Sequence, residues 1–530
     1  MIALSVQEIA DIVGGRLDHV DDPDAQVTGP VEFDSRRVSD GALFVALPGA
    51  RVDGHDFAAD AVRGGATAVL AARPVGVPAI VVEPQGRAEG EGSNADIYAN
   101  DADGSAAVVV RALSDLARAV TTRLVRESGL NVVGVTGSAG KTSTKDLLAS
   151  VLREDGNTVA PPGSFNNEIG HPYTALRCDP NTKYFVAEMS ARGIGHIRHL
   201  ATIARPRIGI VLNVGTAHLG EFGSRDNIAR AKGELVEALP AAAEGGVAVL
   251  NADDQFVSAM ASRTEAKVVY YSTADRKADY YATEIELDAV ARPSFTFHSP
   301  QAEPIRVKLQ VFGAHQVSNA LAAAAAACEA GLPAADVVAA LGGHRNASAH
   351  RMDVVTRNDG VTVINDSYNA NPESMRAAIA ALGYTTAARP DARSIAVLGE
   401  MNELGGEAES AHRQVGADLA KYHVSHLIVV GETPVCSALV AAARERGIAT
   451  TQVADVDHAA AAAAEILRTP PAGVEEWSVR KEKDVVLVKA SNAAGLWRVA
   501  DALVGPTGGA RDTAPGHAGA VGEAPSAGDE

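Results

Sequence analysis

Residues 132–148 read VVGVTGSAGKTSTKDLL, and this stretch limits what the chain can build. The short apolar run predicts a buried parallel strand. The segment Thr136-Gly137-Ser138-Ala139-Gly140 predicts a tight turn, and Lys141-Thr142-Ser143 opens an apolar-periodic helix. Strand, turn and helix start bring several backbone N–H groups around one point, where unpaired amides and the helix dipole favour an anion. A phosphate suits that point, cradled by Gly137, Ser138, Ala139, Gly140 and Ser143. Lys141 would add a full positive charge, and the Thr142 hydroxyl can meet a magnesium ion. The general phosphate-loop pattern wants a Gly five positions before Gly140, and Val135 stands there. The GKT ending still favours a nucleotide site over a Gly-rich turn with no ligand.

At 530 residues the chain exceeds one core, and roughly three domains are expected. A net charge of −19 argues against a nucleic-acid partner, whose phosphates would be repelled. Cys178, Cys328 and Cys436 are too far apart for a zinc pattern or a disulfide framework and read as buried thiols of a reducing compartment. The start, MIALSVQEIADIVGG, carries charges within its apolar run and predicts a small amphipathic helix, not a signal peptide. No apolar run reaches the length of a membrane span. These features set the expectation of a cytoplasmic protein with no membrane insertion; a monomer is the working expectation, which composition does not decide.

Alternating apolar runs and helical periods predict an α/β protein of three domains. Residues 1–110 form the first, a mixed α/β unit with strands over 42–47, 67–71 and 79–83 and a helix over 57–64. Its polar clusters Asp34-Ser35-Arg36-Arg37 and Asp53-Gly54-His55-Asp56-Phe57 are either solvated turns or a binding edge. Residues 86–104, rich in Gly, Asn, Asp and Ala, predict a mobile surface insertion. A helix over 106–128 leads into a central parallel-sheet domain, 111–345, with strands over 184–187, 207–212, 247–250 and 268–271. The third domain, 346–504, is a Rossmann-like, doubly wound unit with strands over 361–365, 394–399, 427–431 and 485–489. Residues 505–530 lack periodicity and predict a disordered tail.

In such sheets ligands gather beyond the carboxyl ends of the strands, which singles out Glu188, Asn213 and His218. A carboxylate closing an apolar strand needs a partner, and a Mg²⁺ shared with Thr142 or a neighbouring cation would serve for Glu188. His218 alone reads more readily as a hydrogen-bonded structural residue than as a metal ligand, and Lys232, within Ala231-Lys232-Gly233-Glu234, as an exposed helix residue. A very Ala-rich helix over 315–330 crowds His315, Gln316, Ser318 and Asn319 into its first turns, where they cap the helix or meet a ligand.

Together these motifs resemble the Mur ligase family, the ATP-dependent amide-forming enzymes of peptidoglycan precursor synthesis. The resemblance spans about residues 25–500 and rests on an ordered set: TGSAGKTSTKD, NNEIGHP (166–172), the Glu188 strand, NVGTAHLGEFGS (213–224), AKGEL, HQVSNALAA, HRMD and DSYNANPESM (366–375). The stretch Asp366-Ser-Tyr-Asn-Ala-Asn-Pro372 resembles the members that add D-alanyl-D-alanine to UDP-N-acetylmuramoyl-tripeptide.

The resemblance implies ATP and small-molecule substrates held by three domains. It assigns Lys141, Lys232 and His218 to catalysis, and Thr142, Glu188 and His218 to two Mg²⁺ ions, with Lys232 carbamylated by CO₂. It adds Asn319, Arg351 and Asp366 to the nucleotide site. Ser35, Arg36, Asp53 and His55 would hold the uridine end, and Asn166, Asn167, Asn369 and Asn371 other parts of the substrates. Because these residues come from separate domains, the third domain is expected to close over ATP before chemistry. The family's Lys-Gly-Ser-Arg near the C-terminus reads Lys489-Ala490-Ser491-Asn492 here, which removes any carried-over role for position 492 and leaves Lys489 and Ser491 as candidates. A folate-type ligase of the same family lacks a uridine end to hold, so the DSR and DGHDF clusters speak against it.

Overall fold

The computed structural model describes residues 1–49, 52–84, 101, 103–217, 219–345, 348, 350–474, 476–505 and 510–511. Helix Val6–Val13 forms as its amphipathic pattern predicts. Ser5 and Glu8 make a reciprocal capping box at its start, and Gly14 ends it with φ 65°, a conformation open to Gly without a Cβ penalty. It packs beside a five-stranded sheet in the order Arg16–Asp18, Ala79–Val81, Ala66–Ala71, Ala42–Val45, Val31–Glu32. All neighbours in it are parallel except the Arg16–Asp18 edge. The loops after Val31–Glu32 and Ala42–Val45 therefore leave one common end of the sheet, and they carry Ser35-Arg36 and Asp53-Gly54-His55.

Helix Ser105–Ser128 departs from the expected organisation at both ends of its role. Its first amides, Ala106 N–H and Ala107 N–H, donate to the Asp101 carboxylate at 2.9 Å each. Asp101 was expected in a mobile insertion and is instead buried as a cap; residues 86–100 and 102 of that insertion lie outside the described residues. The helix also runs through residue 110. Its stripe Val109, Leu113, Leu116, Val120, Leu124, spaced by threes and fours, joins Ile9 and Ile80 of the first unit to Leu200 and Ile203 of the second in one core. The first two domains thus share a hydrophobic core, which a break at 110 would cut.

The central sheet has nine strands, ordered Ala302–Lys308, Pro293–Ser299, Tyr280–Leu287, Lys267–Ser272, Val247–Asn251, Ile208–Val211, Asn131–Thr136, Tyr184–Glu188, Thr158–Val159. The strands from Thr158–Val159 to Tyr280–Leu287 pair in parallel, as read from the sequence. The last two add an antiparallel meander that the sequence reading passed over. The meander's inner residues Phe295 and Phe297 pack under helix Gln316–Glu329. The alanines 320–327 of that helix are fully buried, and their small side chains let it lie close against the phosphate-loop helix Lys141–Arg153.

The third sheet runs Ala449–Val453, His426–Val430, Ser394–Leu398, Val485–Lys489, Thr362–Asn365, Asp353–Thr356, Ala510–Arg511. Its first five strands are parallel, with separate apolar clusters on the two faces. Ala510–Arg511 belongs to the stretch expected to be a disordered tail. It pairs antiparallel with Val355 and Thr356, so backbone hydrogen bonding gives those two residues a place. Residues 506–509 and 512–530 lie outside the described residues. Among the described residues no helix is long and apolar enough to cross a membrane, and Cys178, Cys328 and Cys436 are buried free thiols.

Candidate active site

Strand Asn131–Thr136 lies between Ile208–Val211 and Tyr184–Glu188, so the phosphate loop, Asn213 and Glu188 emerge side by side at the carboxyl ends of three parallel strands. Two neighbours hold the loop in shape. Asn213 clamps Ala139, accepting from its N–H at 2.9 Å and donating to its carbonyl at 3.1 Å. Gly215 N–H donates to Ser138 Oγ at 2.9 Å. Gly140 starts the helix at φ +84°, and a Cβ there would sit 2.6 Å from Asn319 Oδ1. Gly140 is thus required twice, for its backbone angle and for the close approach of Asn319. Asn319 therefore lies at the loop, with its amide donating to Gln316 Oε1 at 3.0 Å.

Lys141 Nζ donates to the Gly137 carbonyl at 2.8 Å, which folds the side chain back over the loop that would hold phosphate. Burial pushes its pKa below the ordinary lysine value, and the Glu188 charge opposes that shift. Thr142 Oγ1 lies 3.3 Å from Ser164 Oγ. Glu188 is buried at the end of its strand. One oxygen accepts from Asn166 Nδ2 at 2.7 Å, and the other is buried with no hydrogen-bond partner among the described residues. A free carboxylate oxygen and a Thr hydroxyl beside a phosphate cradle are hard oxygen donors of the kind Mg²⁺ takes. His218 lies outside the described residues.

Lys232 overturns the reading of an exposed helix residue: it is only 4% exposed. Burial and then the nearby Lys141 charge both drive its pKa well below the ordinary lysine value, which favours a neutral amine. The helix Arg225–Glu237 turns this face inward because its neighbours Ile228, Ala231 and Leu235 belong to the core.

The third domain reaches this site through several side chains. Arg351 Nη2 donates to Ser164 Oγ at 2.8 Å, and its guanidinium stacks 4.1 Å from the Tyr368 ring centroid. Asp366, expected at the nucleotide, is held by Lys489 Nζ at 2.6 Å and accepts from Met352 N–H at 3.1 Å. Lys489 also donates to the Asn369 carbonyl at 2.7 Å, so this candidate braces the loop 366–371 from beneath. Asn369 Oδ1 accepts from Ala370 N–H at 2.8 Å. Asn371 caps helix Pro372–Ala387 through a reciprocal box with Ser374, and Asn167 likewise accepts from Gly170 N–H at 2.9 Å. These two side-chain oxygens serve the backbone. Ser491 Oγ accepts from Asn402 N–H at 3.0 Å.

At the far end, Asp34 caps the turn Ser35–Arg37 and pairs with Arg36 at 2.7 Å, leaving the Arg36 side chain exposed. His55 departs from its expected role. Ala72 N–H donates to its Nε2 at 3.0 Å, so Nδ1 carries the proton and donates to Asp53 Oδ1 at 2.6 Å. Both ring nitrogens are used inside the fold, and His55 is an anchor of its loop. Burial raises the Asp53 pKa, but hydrogen bonds from His55 and Arg73 outweigh it and hold it at about 2. Phe33, which leads into the loop 34–37, meets the central domain: its ring lies 5.3 Å from that of Tyr173, and Tyr173 in turn packs 5.8 Å from Phe165.

Three contributors escaped the sequence reading. Ser164 links Thr142 to Arg351, Tyr368 supports Arg351, and Glu373 accepts from Thr216 N–H at 2.9 Å across the domain interface. Ser164 lies just before the quoted NNEIGHP motif, and Tyr368 and Glu373 lie inside the quoted DSYNANPESM, but none of the three carries a spacing signal of its own.

Comparison with known proteins agrees with this geometry. The Mur ligase middle domain matches residues 135–327, the Mur ligase glutamate ligase domain residues 350–492, and the Mur ligase family catalytic domain residues 30–120. UDP-N-acetylmuramoyl-tripeptide--D-alanyl-D-alanine ligase of Mycobacterium tuberculosis is 52% identical over 510 residues, covering 95% of this chain and 98% of the relative. Among solved structures, MurF from Acinetobacter baumannii superposes with a TM-score of 0.76 at 28% identity, covering 94% of this chain and 98% of that one. The MurF ligase of Thermotoga maritima in complex with ADP gives 0.67 at 26% identity, covering 89% and 96%. With the phosphate loop, the buried lysine beside it and three matching domains in order, the chain belongs to the Mur ligase family.

Proposed function

We propose that this chain is an ATP-dependent ligase joining D-alanyl-D-alanine to UDP-N-acetylmuramoyl-tripeptide, with release of ADP and phosphate. The observation that carries the reading is the buried Lys232 and the half-buried Lys141 beside the half-satisfied Glu188 carboxylate. Activating a carboxylate with ATP brings two anions together, and this cluster supplies cation and metal-binding oxygen at one point.

Lys141 would exchange the Gly137 carbonyl for the β- and γ-phosphates, while the amides of the loop and Asn213's clamp on Ala139 fix their direction. Glu188 and Thr142 are the residues that would hold Mg²⁺, which screens the phosphate charge when bound. The tripeptide's terminal carboxylate attacks the γ-phosphate and ADP leaves, giving an acyl phosphate. The dipeptide amine, having lost a proton, adds to that carbonyl, and phosphate departs. Arg351 and the braced loop 366–371 approach from the third domain, excluding water from the acyl phosphate. A neutral Lys232 amine can take up CO₂, forming an N–C bond and releasing a proton. The resulting carbamate anion would be oriented near the metal. The exposed Arg36 and the 53–57 loop suit the uridine end. The reading also takes the enzyme as a cytoplasmic monomer.

The test is phosphate release with purified full-length protein. It should require ATP, Mg²⁺, the UDP-linked tripeptide and D-alanyl-D-alanine together, assayed with diaminopimelate and with lysine as third residue. Release that ignores the dipeptide, or that accepts a single amino acid equally well, would overturn the assignment.

A further inference from the structure

Glu373 sits in the first turn of helix Pro372–Ala387 in the third domain, where the helix dipole favours its carboxylate. Its Oε1 accepts two hydrogen bonds from the central domain, from Thr216 N–H at 2.9 Å and Thr216 Oγ1 at 3.1 Å. The carboxylate also lies against Gly215, where a Cβ would come within 2.5 Å of Oε1. Gly215 N–H in turn donates to Ser138 Oγ at 2.9 Å. Ser138 N–H donates to the Asn213 carbonyl at 3.1 Å, and Asn213 clamps Ala139. An unbroken set of hydrogen bonds and covalent links therefore runs from the third domain into the phosphate loop. On its other side Glu373 is continuous with the loop 366–371, which Lys489 braces at Asp366 and Asn369 and which Asn371 joins rigidly to the helix.

We propose that Glu373 is a positioning residue that couples nucleotide occupancy of the phosphate loop to the dipeptide side of the site, through Thr216 and Gly215. The inference rests on the ligase reading above. Its physical content is a two-position contact. With the 213–216 segment set by a filled phosphate loop, Glu373 docks and loop 366–371 takes its working place. With the contact broken, the two ligands bind independently. By reciprocity, each ligand then raises the other's affinity by the same factor.

Titration calorimetry on the full chain, with UDP-tripeptide present, measures D-alanyl-D-alanine affinity with and without a non-hydrolysable ATP analogue and Mg²⁺. The wild-type chain should bind the dipeptide about tenfold or more tightly when the analogue is present, the effect of one charge-assisted contact. E373A should bring that ratio close to one. G215A should also bring that ratio close to one, because its methyl displaces the end of the Glu373 side chain. The double variant should be no worse than either single one. E373Q, whose amide oxygen accepts the same two hydrogen bonds, should keep most of the coupling, and T216V should lose part of it. Thermal melts show whether each variant folds. A wild-type ratio near one, a wild-type ratio in E373A, additive effects of G215A and E373A, or E373Q as impaired as E373A would each overturn the proposal. Failure of wild-type protein to release phosphate in response to the dipeptide would instead overturn the ligase reading.

Discussion

Arg351 of the third domain donates to Ser164 Oγ of the central domain at 2.8 Å, and Ser164 Oγ lies 3.3 Å from Thr142 Oγ1. A threonine hydroxyl that gives a lone pair to a metal still has a proton to donate, and Ser164 is the acceptor within reach. Removing it unlinks Thr142 from Arg351 at one stroke. S164A should weaken binding of an ATP analogue with Mg²⁺ by about tenfold, as expected for one or two lost hydrogen bonds. S164T should retain most of the affinity. Calorimetric titration with Mg²⁺ and with chelator checks this, and a loss of equal size under both conditions would separate Ser164 from the metal.

Glu188 has one oxygen bonded to Asn166 and one with no partner among the described residues. E188Q keeps the shape and the acceptor for Asn166 but gives up the negative charge. Analogue affinity should then lose most of its dependence on Mg²⁺, while affinity in the presence of chelator changes little or rises, since a repelling anion is gone. A variant with the wild-type Mg²⁺ response would remove Glu188 from the metal site.

The two kinds of site residue were unequally legible. The phosphate loop is local: strand, turn and helix start are consecutive, so spacing alone carried Gly137–Thr142 to their places. Lys232 is the opposite case. Its burial depends on helix Arg225–Glu237 packing its Ile228 and Leu235 side inward, which a lysine on an apparently polar helix face does not announce, and only the family resemblance pointed to it. His55 and Asn371 were drawn to the ligand by their motifs, yet the fold takes both His55 ring nitrogens and the Asn371 side-chain oxygen, as side chains in loops often serve turns and caps. The meander 280–308 was passed over although Phe295 and Phe297 alternate with Ser294, Thr296 and His298. That period of two is short and sits within a chain dominated by βα repeats.

Lys232 is driven toward the neutral amine by burial and by Lys141. At neutral pH that form should react with CO₂, so protein equilibrated with ¹³C-bicarbonate should show a carbamate resonance that K232A lacks. K232A should lose phosphate release on the order of a hundredfold or more, as when one oriented electrostatic group is removed. Added acetate or another short carboxylate should restore part of it. Wild-type activity in K232A, with no carbamate signal in the parent protein, would sink the assignment.

His171 offers a pH test that is read from stability and not from turnover. Its Nε2 donates to the Leu200 carbonyl at 3.1 Å inside the core, and burial pushes its pKa from 6.5 down to about 4. Between those values the unfolded chain binds a proton that the folded chain refuses. Stability should therefore be unaffected by this ring above about pH 6.5, fall as pH drops toward 4, and level off below that. From pH 7 to pH 5 the loss from this residue is about 2 kcal/mol, at roughly 1.4 kcal/mol per unit. H171L lowers stability at every pH by removing the buried hydrogen bond to the Leu200 carbonyl, but it should flatten this part of the acid limb. Denaturant titrations of both proteins at pH 7 and pH 5 measure the difference, and an equal loss in the two would rule out His171 as its source.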